Sequence, residues 1–201
     1  MTVEEIVRAK PSLVRVVYSG EHARVLRVSL PPGADLPAHE GRRRLIYSLS
    51  DYTIEWREGD GPVETKKWTT GDVHVHESLA HRVRNIGSTL VDYLVFERLD
   101  STLPDSPSVN RDIDGPVVSY ADSYFRVRKV ILEPKAAINA HSGTHRAVYS
   151  LTDYTVSWNA DGEVSEKAWS RGQAHWHAPG EHAVENTGDS TAEWIVVEFL
   201  R

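Results

Sequence analysis

The stretch YSLSDYT at residues 47–53 returns almost unchanged as YSLTDYT at residues 149–155. The similarity runs outward from there, so that residues 15–100 match residues 117–201 with an offset of 102, which falls to 101 after one deletion near residues 59–61. Eight of the ten histidines fall into matched pairs, although many other matched positions differ: His39/His141, His74/His175, His76/His177 and His81/His182. The chain is therefore one unit of about 85 residues written twice.

Composition limits the classes of function. Of the 201 residues, 40% are apolar and 26% are charged, which is ordinary for a globular protein. The 23 basic and 29 acidic residues give a formal net charge of −6, which argues against a general nucleic-acid binder. The lack of cysteine excludes disulfides, thiolate nucleophiles, zinc fingers and cysteine-ligated iron–sulfur clusters. Motifs typical of kinases, NAD-dependent enzymes and α/β-hydrolases are missing as well.

The N-terminal residues bear on location and on one local element. No apolar run approaches the ~20 residues of a transmembrane helix, and the opening MTVEEIVRAK lacks the apolar core of a secretory signal. We therefore expect a cytoplasmic protein that binds neither a membrane nor nucleic acid. Thr2, followed by Glu4, Glu5 and Ile6, predicts a short helix within residues 1–14 that Thr2 caps.

Within each copy, apolar and polar residues alternate with the period of a β-strand. The first copy has such segments separated by Gly, Pro, Asp and Asn: residues 25–30, 45–50, 53–56, 72–76, 81–85 and 92–97. Many short strands without helices predict an all-β fold of two tandem barrels. We expect an N-terminal barrel with a short leading segment over residues 1–100, a linker over 101–116, and a C-terminal barrel over 117–201.

One motif of both copies resembles the second sequence motif of the cupin family. That motif runs from a glycine, through a short strand and a turn, to a histidine with an asparagine four residues later. It occurs here twice, as Gly71-x9-His81-x3-Asn85 and as Gly172-x9-His182-x3-Asn186. Pro179-Gly180 supplies the turn in the second copy.

The first cupin motif, a glycine followed by a His-x-His pair and a glutamate, is matched only in part. Gly33-x5-His39 fits in the first copy, whereas Lys135 replaces the glycine in the second. The other departures are Gly41/Gly143 in place of the second histidine and Arg44/Arg146 near the place of the glutamate. The resemblance covers nearly the whole chain and implies two double-stranded β-helix barrels, a bicupin similar to small bacterial cupins of unclear function.

The resemblance also implies a divalent transition metal in the barrel: Fe, Mn, Ni, Zn or Cu, most of which imidazole suits. The motif histidines would be the first two ligands of each site: His39 and His81, and His141 and His182. Since the usual third histidine and the glutamate are missing, the preferred third ligands are His76 and His177. The second choices are His74, His175 and His145.

The direction in which these further histidines point is left open by the sequence. His74 and His76 lie two residues apart and therefore share one face of a strand. Val73 and Val75 form the opposite, apolar face, and either face could line the barrel. The same alternatives hold for the corresponding strand of the second copy.

Arg44 and Arg146 change the electrostatics of the expected site. Arginine stays charged and binds a carboxylate through a planar fork, so one interpretation is a clamp for a substrate carboxylate. The other is a structural ion pair with the glutamate of the same copy, Glu97 or Glu198. The candidate substrate-binding residues are Arg44, Arg146, Tyr47 and Tyr149. The tyrosines, like Trp56/Trp158 and Trp68/Trp169, are otherwise expected in the core, with their polar tips bonded to partners.

Three hypotheses about function follow. The first is a metal-dependent bicupin that acts on a small organic acid or a related metabolite, as an oxygenase, isomerase or lyase, with catalytic residues unassigned. The second is a carboxylate-binding or sensing protein without metal, and the third is a role in assembly with the histidines facing outward. The expected partner is a small molecule, and a homodimer is left open. Pro179-Gly180 and His145 favour the second copy as the active one.

Overall fold

The structure is a computed structural model that describes residues 1–99, 103 and 117–200. The chain divides into two compact units, residues 1–101 and 102–201, and each is described by itself. The predicted linker, residues 101–116, lies outside the described residues except for Leu103. Within the described residues, no helix is both long and apolar enough to cross a membrane.

The predicted N-terminal helix is confirmed as α1 (Val3–Ala9). The side chain of Thr2 accepts a hydrogen bond from the backbone N–H of Glu5, and the Glu5 carboxylate accepts one from the backbone N–H of Thr2. This reciprocal capping box satisfies two N–H groups that the first turn would otherwise leave unpaired. Ile6, only 1% exposed, then buries its side chain in the apolar core of the first unit.

The first unit is built from antiparallel strands in two sheets. One sheet has the order β1-β2-β9-β4-β7 and the other the order β3-β8-β5-β6. The strands are β1 (Val14–Ser19), β2 (Ala23–Leu30), β3 (Asp35–Glu40), β4 (Arg44–Ser48), β5 (Tyr52–Glu58), β6 (Val63–Trp68), β7 (Val73–His76), β8 (Ala80–Asn85) and β9 (Val91–Arg98).

The second unit repeats this arrangement. Its sheets have the orders β10-β11-β18-β13-β16 and β12-β17-β14-β15, so each strand has the same neighbours as its counterpart. The strands are β10 (Val117–Ala121), β11 (Phe125–Leu132), β12 (Ala137–Gly143), β13 (Arg146–Ser150), β14 (Tyr154–Ala160), β15 (Glu163–Trp169), β16 (Ala174–His177), β17 (Gly180–Asn186) and β18 (Ala192–Phe199).

The predicted all-β fold and its duplication are confirmed. The six strands predicted in the first copy fall on β2, β4, β5, β7, β8 and β9. Strands β1, β3 and β6 were not predicted. Strand β6 is largely exposed and strand β3 contains Pro37, so neither has a clear alternating apolar pattern.

Apolar side chains from both sheets meet inside each unit. In the first unit Leu36, Ile46 and Val83 belong to one buried cluster, and all are less than 5% exposed. A corresponding cluster in the second unit contains Val148 and Val184. Burial of one such side chain contributes about 1.5–3 kcal/mol, so these clusters dominate the stability of each unit.

The motif asparagine holds together the turn after β8 and, in the second unit, after β17. Asn85 is fully buried, and its Nδ2 donates to the carbonyl oxygens of Leu30 and Thr89, each at 2.8 Å. Its Oδ1 accepts from the backbone N–H of Gly87 at 2.9 Å. Asn186 makes the same three kinds of bond. The motif asparagine is therefore a structural residue.

We predict that Asn85→Ala lowers the free energy of unfolding by about 2–4 kcal/mol, because two buried carbonyl oxygens lose their donor. Urea denaturation measures this loss. Asn159→Ala, on the exposed side of β14, is the matched control and should change stability by less than about 0.5 kcal/mol. Equal stability of the two variants would contradict the structural role of Asn85.

Candidate functional site

A cavity lies between the two sheets of each unit. The empty space, including the open mouth, is about 590 Å³ in the first unit and about 710 Å³ in the second. The histidines that line the first cavity are His39, His74, His76 and His81. Those that line the second are His141, His175, His177 and His182.

The structure decides the orientation that the sequence left open. Strand β7 pairs with β4 in a register that sets His76 opposite Arg44 and His74 opposite Ile46. Side chains opposite one another in a sheet share a face, and all four of these residues line the cavity. The histidines of β7 therefore face inward, and so do those of β16. The hypothesis of assembly through outward-facing histidines loses its basis.

The imidazole rings pack closely on one another and on tryptophan. The ring centroids of His39 and His81 are 4.1 Å apart, and those of His74 and His76 are 4.8 Å apart. Trp56 stacks on both His76 and His81, at 4.3 and 4.5 Å. The second unit repeats the stacking on Trp158. Trp56 belongs to the buried core cluster, as expected, and Trp158 packs against that of the second unit; both also form walls of the cavities and fix the ring orientations.

Burial keeps these histidines neutral. In the first unit it lowers the pKa of His74 to about 4, aided by the charge of Lys66. Burial, and then the charge of Arg44, lower the pKa of His81 to about 2. In the second unit burial, and then the charge of Arg146, lower the pKa of His177 to about 2. At pH 7 each ring therefore offers one N–H donor and one acceptor nitrogen.

An arginine lies among these rings in each cavity. Arg44 is 4% exposed, and its Nη2 donates to Nδ1 of His81 at 2.9 Å. Its Nη1 donates to the carbonyl oxygens of Arg42 and Glu77, at 2.9 and 3.1 Å. A Cβ atom on Gly41 would lie 2.6 Å from Nη1, so a larger residue there would require the guanidinium to shift. The guanidinium thus fills the space next to the residue that replaces the second motif histidine.

Arg146 repeats the arrangement in the second unit. Its Nη2 donates to Nε2 of His182 at 3.2 Å, and its Nη1 donates to the carbonyl oxygen of Thr144 at 2.8 Å. A Cβ atom on Gly143 would overlap the same Nη1. Burial lowers the pKa of Arg146 to about 10, and the charge of Glu198 opposes that effect. The guanidinium remains charged at pH 7.

The expected ion pairs of Arg44 with Glu97 and of Arg146 with Glu198 are wrong. Glu97 lies opposite Arg44 in the register of β9 and β4, but Arg24 on the other neighbouring strand binds it through Nε and Nη2, at 2.9 and 2.6 Å. Glu198 pairs instead with Arg126 and Arg128. No carboxylate of a described residue forms an ion pair with Arg44 or Arg146.

Some of the predicted site residues lie elsewhere. Tyr47 and Tyr149 do not line the cavities, because alternation along β4 and β13 turns them to the face opposite Arg44 and Arg146. The structure therefore does not bring these tyrosines to the site as substrate-binding residues. His145 stacks on Trp176 with the ring centroids 5.9 Å apart, and it does not line the second cavity.

The sequence interpretation missed other cavity residues. Tyr52, Tyr93 and Tyr154 line the cavities, as does Arg128. Tyr52 and Tyr154 are matched in the repeat and lie in the quoted heptapeptides, so their recurrence was available as a signal. Arg128 has no arginine as its counterpart, and nothing in the repeat marks it.

The arrangement does not fit a divalent cation as the side chains stand. Among the described residues, no group of three or more His, Asp or Glu side chains is arranged to hold a metal ion. The guanidinium of Arg44 donates a hydrogen bond to a ring nitrogen of His81 and so occupies it. Arg146 does the same at His182. A metal bound there would meet an unscreened positive charge. Metal ligation by the predicted histidines stays a prediction.

The comparison with known proteins bears on the fold of this chain. No family model and no curated protein sequence matches the chain. AerE from Microcystis aeruginosa is similar in structure, with a TM-score of 0.64 and 18% identity over 94% of this chain and 98% of that one. Oxalate decarboxylase from Bacillus subtilis is similar with a TM-score of 0.67 and 16% identity, over 97% of this chain and 71% of that one. Another oxalate decarboxylase structure, with a TM-score of 0.66 and 15% identity, concerns that enzyme's Mn(II) centres.

We predict that acid destabilises the protein before its carboxylates titrate. The buried histidines bind a proton in the unfolded chain near pH 6.5 but only at much lower pH when folded, so the unfolded state gains protons as the pH falls. The free energy of unfolding is then constant above about pH 7 and declines below about pH 6.5, by up to about 1.4 kcal/mol per pH unit for each histidine. Urea denaturation from pH 8 to 5.5 measures the slope.

The double variant His74→Gln/His175→Gln should have a shallower slope, because it removes one such histidine from each cavity. His22→Gln is the control, since His22 lies outside both cavities. A flat pH profile of the unmodified chain, or equal slopes in both variants, would contradict the neutral buried cluster.

Proposed function

The chain has the fold of two tandem cupin barrels, and on that premise we propose that each barrel binds the carboxylate of a small organic acid through its buried arginine. One observation carries this proposal. No described residue accepts a hydrogen bond from Nε of Arg44 or of Arg146, although both side chains are almost completely buried. Neither Nε is among the atoms that are both inaccessible and without a partner, so each Nε–H remains open to the cavity, where the oxygen of a charged ligand can accept a hydrogen bond from it.

The edge of the guanidinium formed by Nε and Nη2 suits a carboxylate, and Nη2 carries a second hydrogen besides the one it donates to the motif histidine. Nε and Nη2 point the same way, and this chain uses that edge to bind Asp92 with Arg27, at 2.9 and 2.6 Å. Bidentate bonds of this kind are charge-assisted and are worth about 1.5–3 kcal/mol each. Arg44 keeps Nε for such a ligand, because its other contacts are made through Nη1 and Nη2.

The neutral histidines supply further hydrogen bonds. Nδ1 of His74 and Nδ1 of His175 are buried and have no partner among the described residues. Since both positions recur in the repeat, the same unpaired atom occurs in each barrel. Because these atoms have almost no accessible surface, a carboxylate or a hydroxyl group of a ligand would satisfy them only after the imidazole ring turns toward the cavity.

Deeper in each barrel the wall is apolar. Ile54, Val83 and Val95 line the first cavity, and Val156 and Val196 line the second. A ligand that places its carboxylate at the arginine would therefore bring an apolar body against these side chains, which contributes about 25 cal/mol per Å² buried. Small organic acids with a hydrocarbon body fit both ends of the cavity.

We predict that short-chain carboxylates such as butanoate raise the melting temperature in buffer that contains EDTA, because a ligand specific for the native state stabilises it. Arg44→Met/Arg146→Met removes both charges while keeping the length of the side chains, and it should abolish the shift. Arg57→Met, on the exposed end of β5, is the control and should leave the shift unchanged. An equal shift in the double variant would contradict the proposal.

A metal-dependent reaction on the same kind of acid is the second candidate. Four inward-facing neutral imidazoles in each cavity favour it, and so does the likeness to an oxalate decarboxylase with Mn(II) centres. It requires the guanidinium of Arg44 to leave His81. The residues as arranged favour the carboxylate site without metal.

We predict that the unmodified chain, dialysed with Mn(II) and then freed of excess metal, retains far less than one equivalent by elemental analysis. Arg44→Met/Arg146→Met should retain more, because the repelling guanidinium charges are gone. Retention of one or more equivalents by the unmodified chain, lost in His81→Ala/His182→Ala, would instead establish the metal-dependent alternative.

A further inference from the structure

We infer that the two barrels select anions of different charge: the first takes a monocarboxylate, and the second prefers a dicarboxylate of similar size. This inference rests on the proposed function, because it assumes that Arg44 and Arg146 bind a carboxylate. It goes further in assigning a different substrate class to each barrel.

The two cavity walls match position by position, so their few differences are informative. Leu26 on β2 lines the first cavity, and Arg128, at the matched place on β11, lines the second. Both side chains are buried, with 3% of the residue exposed. A large apolar group of the first wall is thus replaced by a cation in the second.

The glutamate beside each arginine is neutralised differently. In the first unit Glu97 binds Arg24 through two short bonds, and Arg24 also binds Glu4 of helix α1. That network sets two carboxylates against one guanidinium, and it lies beside a wall that Val3 and Ile6 of α1 make more apolar.

In the second unit Glu198 is shared by two arginines. Nε of Arg128 and Nη1 of Arg126 each lie 3.4 Å from its Oε2, and Thr144 donates to its Oε1 at 3.1 Å. One carboxylate therefore faces two guanidinium groups, of which that of Arg128 lines the cavity together with Arg146. Burial and the charges of Arg146 and Arg128 lower the pKa of His141, so the field of Arg128 reaches the histidine cluster.

A second difference acts in the same direction. Lys66 and its counterpart Lys167 each lie over a cavity tryptophan, with Nζ 5.5 Å from the ring centroid of Trp56 and 4.7 Å from that of Trp158. Lys66 forms an ion pair with Glu64 at 3.3 Å. The position that matches Glu64 is Ser165, which cannot neutralise Lys167, and only Lys167 lines its cavity.

The charges on the two walls therefore differ. The first wall carries Arg44 against Glu97, one cation and one anion. The second carries Arg128, Arg146 and Lys167 against Glu198, three cations and one anion. An excess of positive charge on the cavity wall favours a ligand with a second negative charge. The larger volume of the second cavity leaves room for the extra carboxylate.

The test compares butanoate with butanedioate, which have the same carbon chain and differ by one carboxylate. Isothermal titration in EDTA uses the full chain with one barrel disabled at a time. Arg44→Met leaves the second barrel to be measured, and Arg146→Met leaves the first. We expect the second barrel to bind butanedioate at least about tenfold more tightly than butanoate, and the first barrel to bind butanoate at least as tightly as butanedioate.

Two further variants locate the cause. In the second barrel, Arg128→Leu should reduce the preference for the dicarboxylate severalfold or more. Ser165→Glu, at an exposed site on β15 that leaves the core intact, should reduce it in the same direction. The reciprocal Glu64→Ser should shift the first barrel toward the dicarboxylate.

The outcomes separate the inference from the proposed function. If both barrels bind both acids with the same ratio of affinities, or if the ratio ignores Arg128→Leu and Ser165→Glu, the inference is overturned while the carboxylate site stands. If neither acid binds to either barrel, the proposed function fails and the inference fails with it.

Discussion

The burial of one guanidinium group in each barrel is the constraint on which the rest of the site depends. A cation removed from water needs acceptors, and Arg44 finds them in two backbone carbonyls and in the ring of His81. This leaves little room for a Cβ atom at position 41, which would lie 2.6 Å from Nη1, and it needs a neutral imidazole, since a protonated ring could not accept. Each barrel thus has inward-facing histidines of the kind that bind metal ions elsewhere, but the buried guanidinium among them suits an anion.

Much of the architecture could be predicted because the duplication acts as an internal control. Matched alternating segments gave the strands and the two barrels, and matched histidines marked the residues that line both cavities. The pattern could not show which face of β7 lines the cavity, since Val73 and Val75 are as compatible with a barrel interior as His74 and His76. Only the pairing of β7 with β4 decides it, and that pairing is a property of the sheet order.

The electrostatic partners were harder to predict for a related reason. Arg44 and Glu97 do lie opposite one another on adjacent strands, as the ion-pair interpretation required. Glu97 also has Arg24 opposite it on its other side, and a side chain on a central strand can serve one neighbour at the expense of the other. The sequence contains all three residues but does not show which arginine pairs with Glu97. Among the described residues Arg44 has no carboxylate partner, and the proposed carboxylate site depends on that.

Nitrogen-15 NMR of arginine side chains tests directly whether Nε of Arg44 and Nε of Arg146 donate hydrogen bonds to a carboxylate. The two Nε–H resonances are assigned by their disappearance in Arg44→Met and in Arg146→Met. Titration with butanoate should shift both Nε–H resonances strongly, with saturation at the affinity found by calorimetry. Saturated binding that leaves both resonances in place would contradict it.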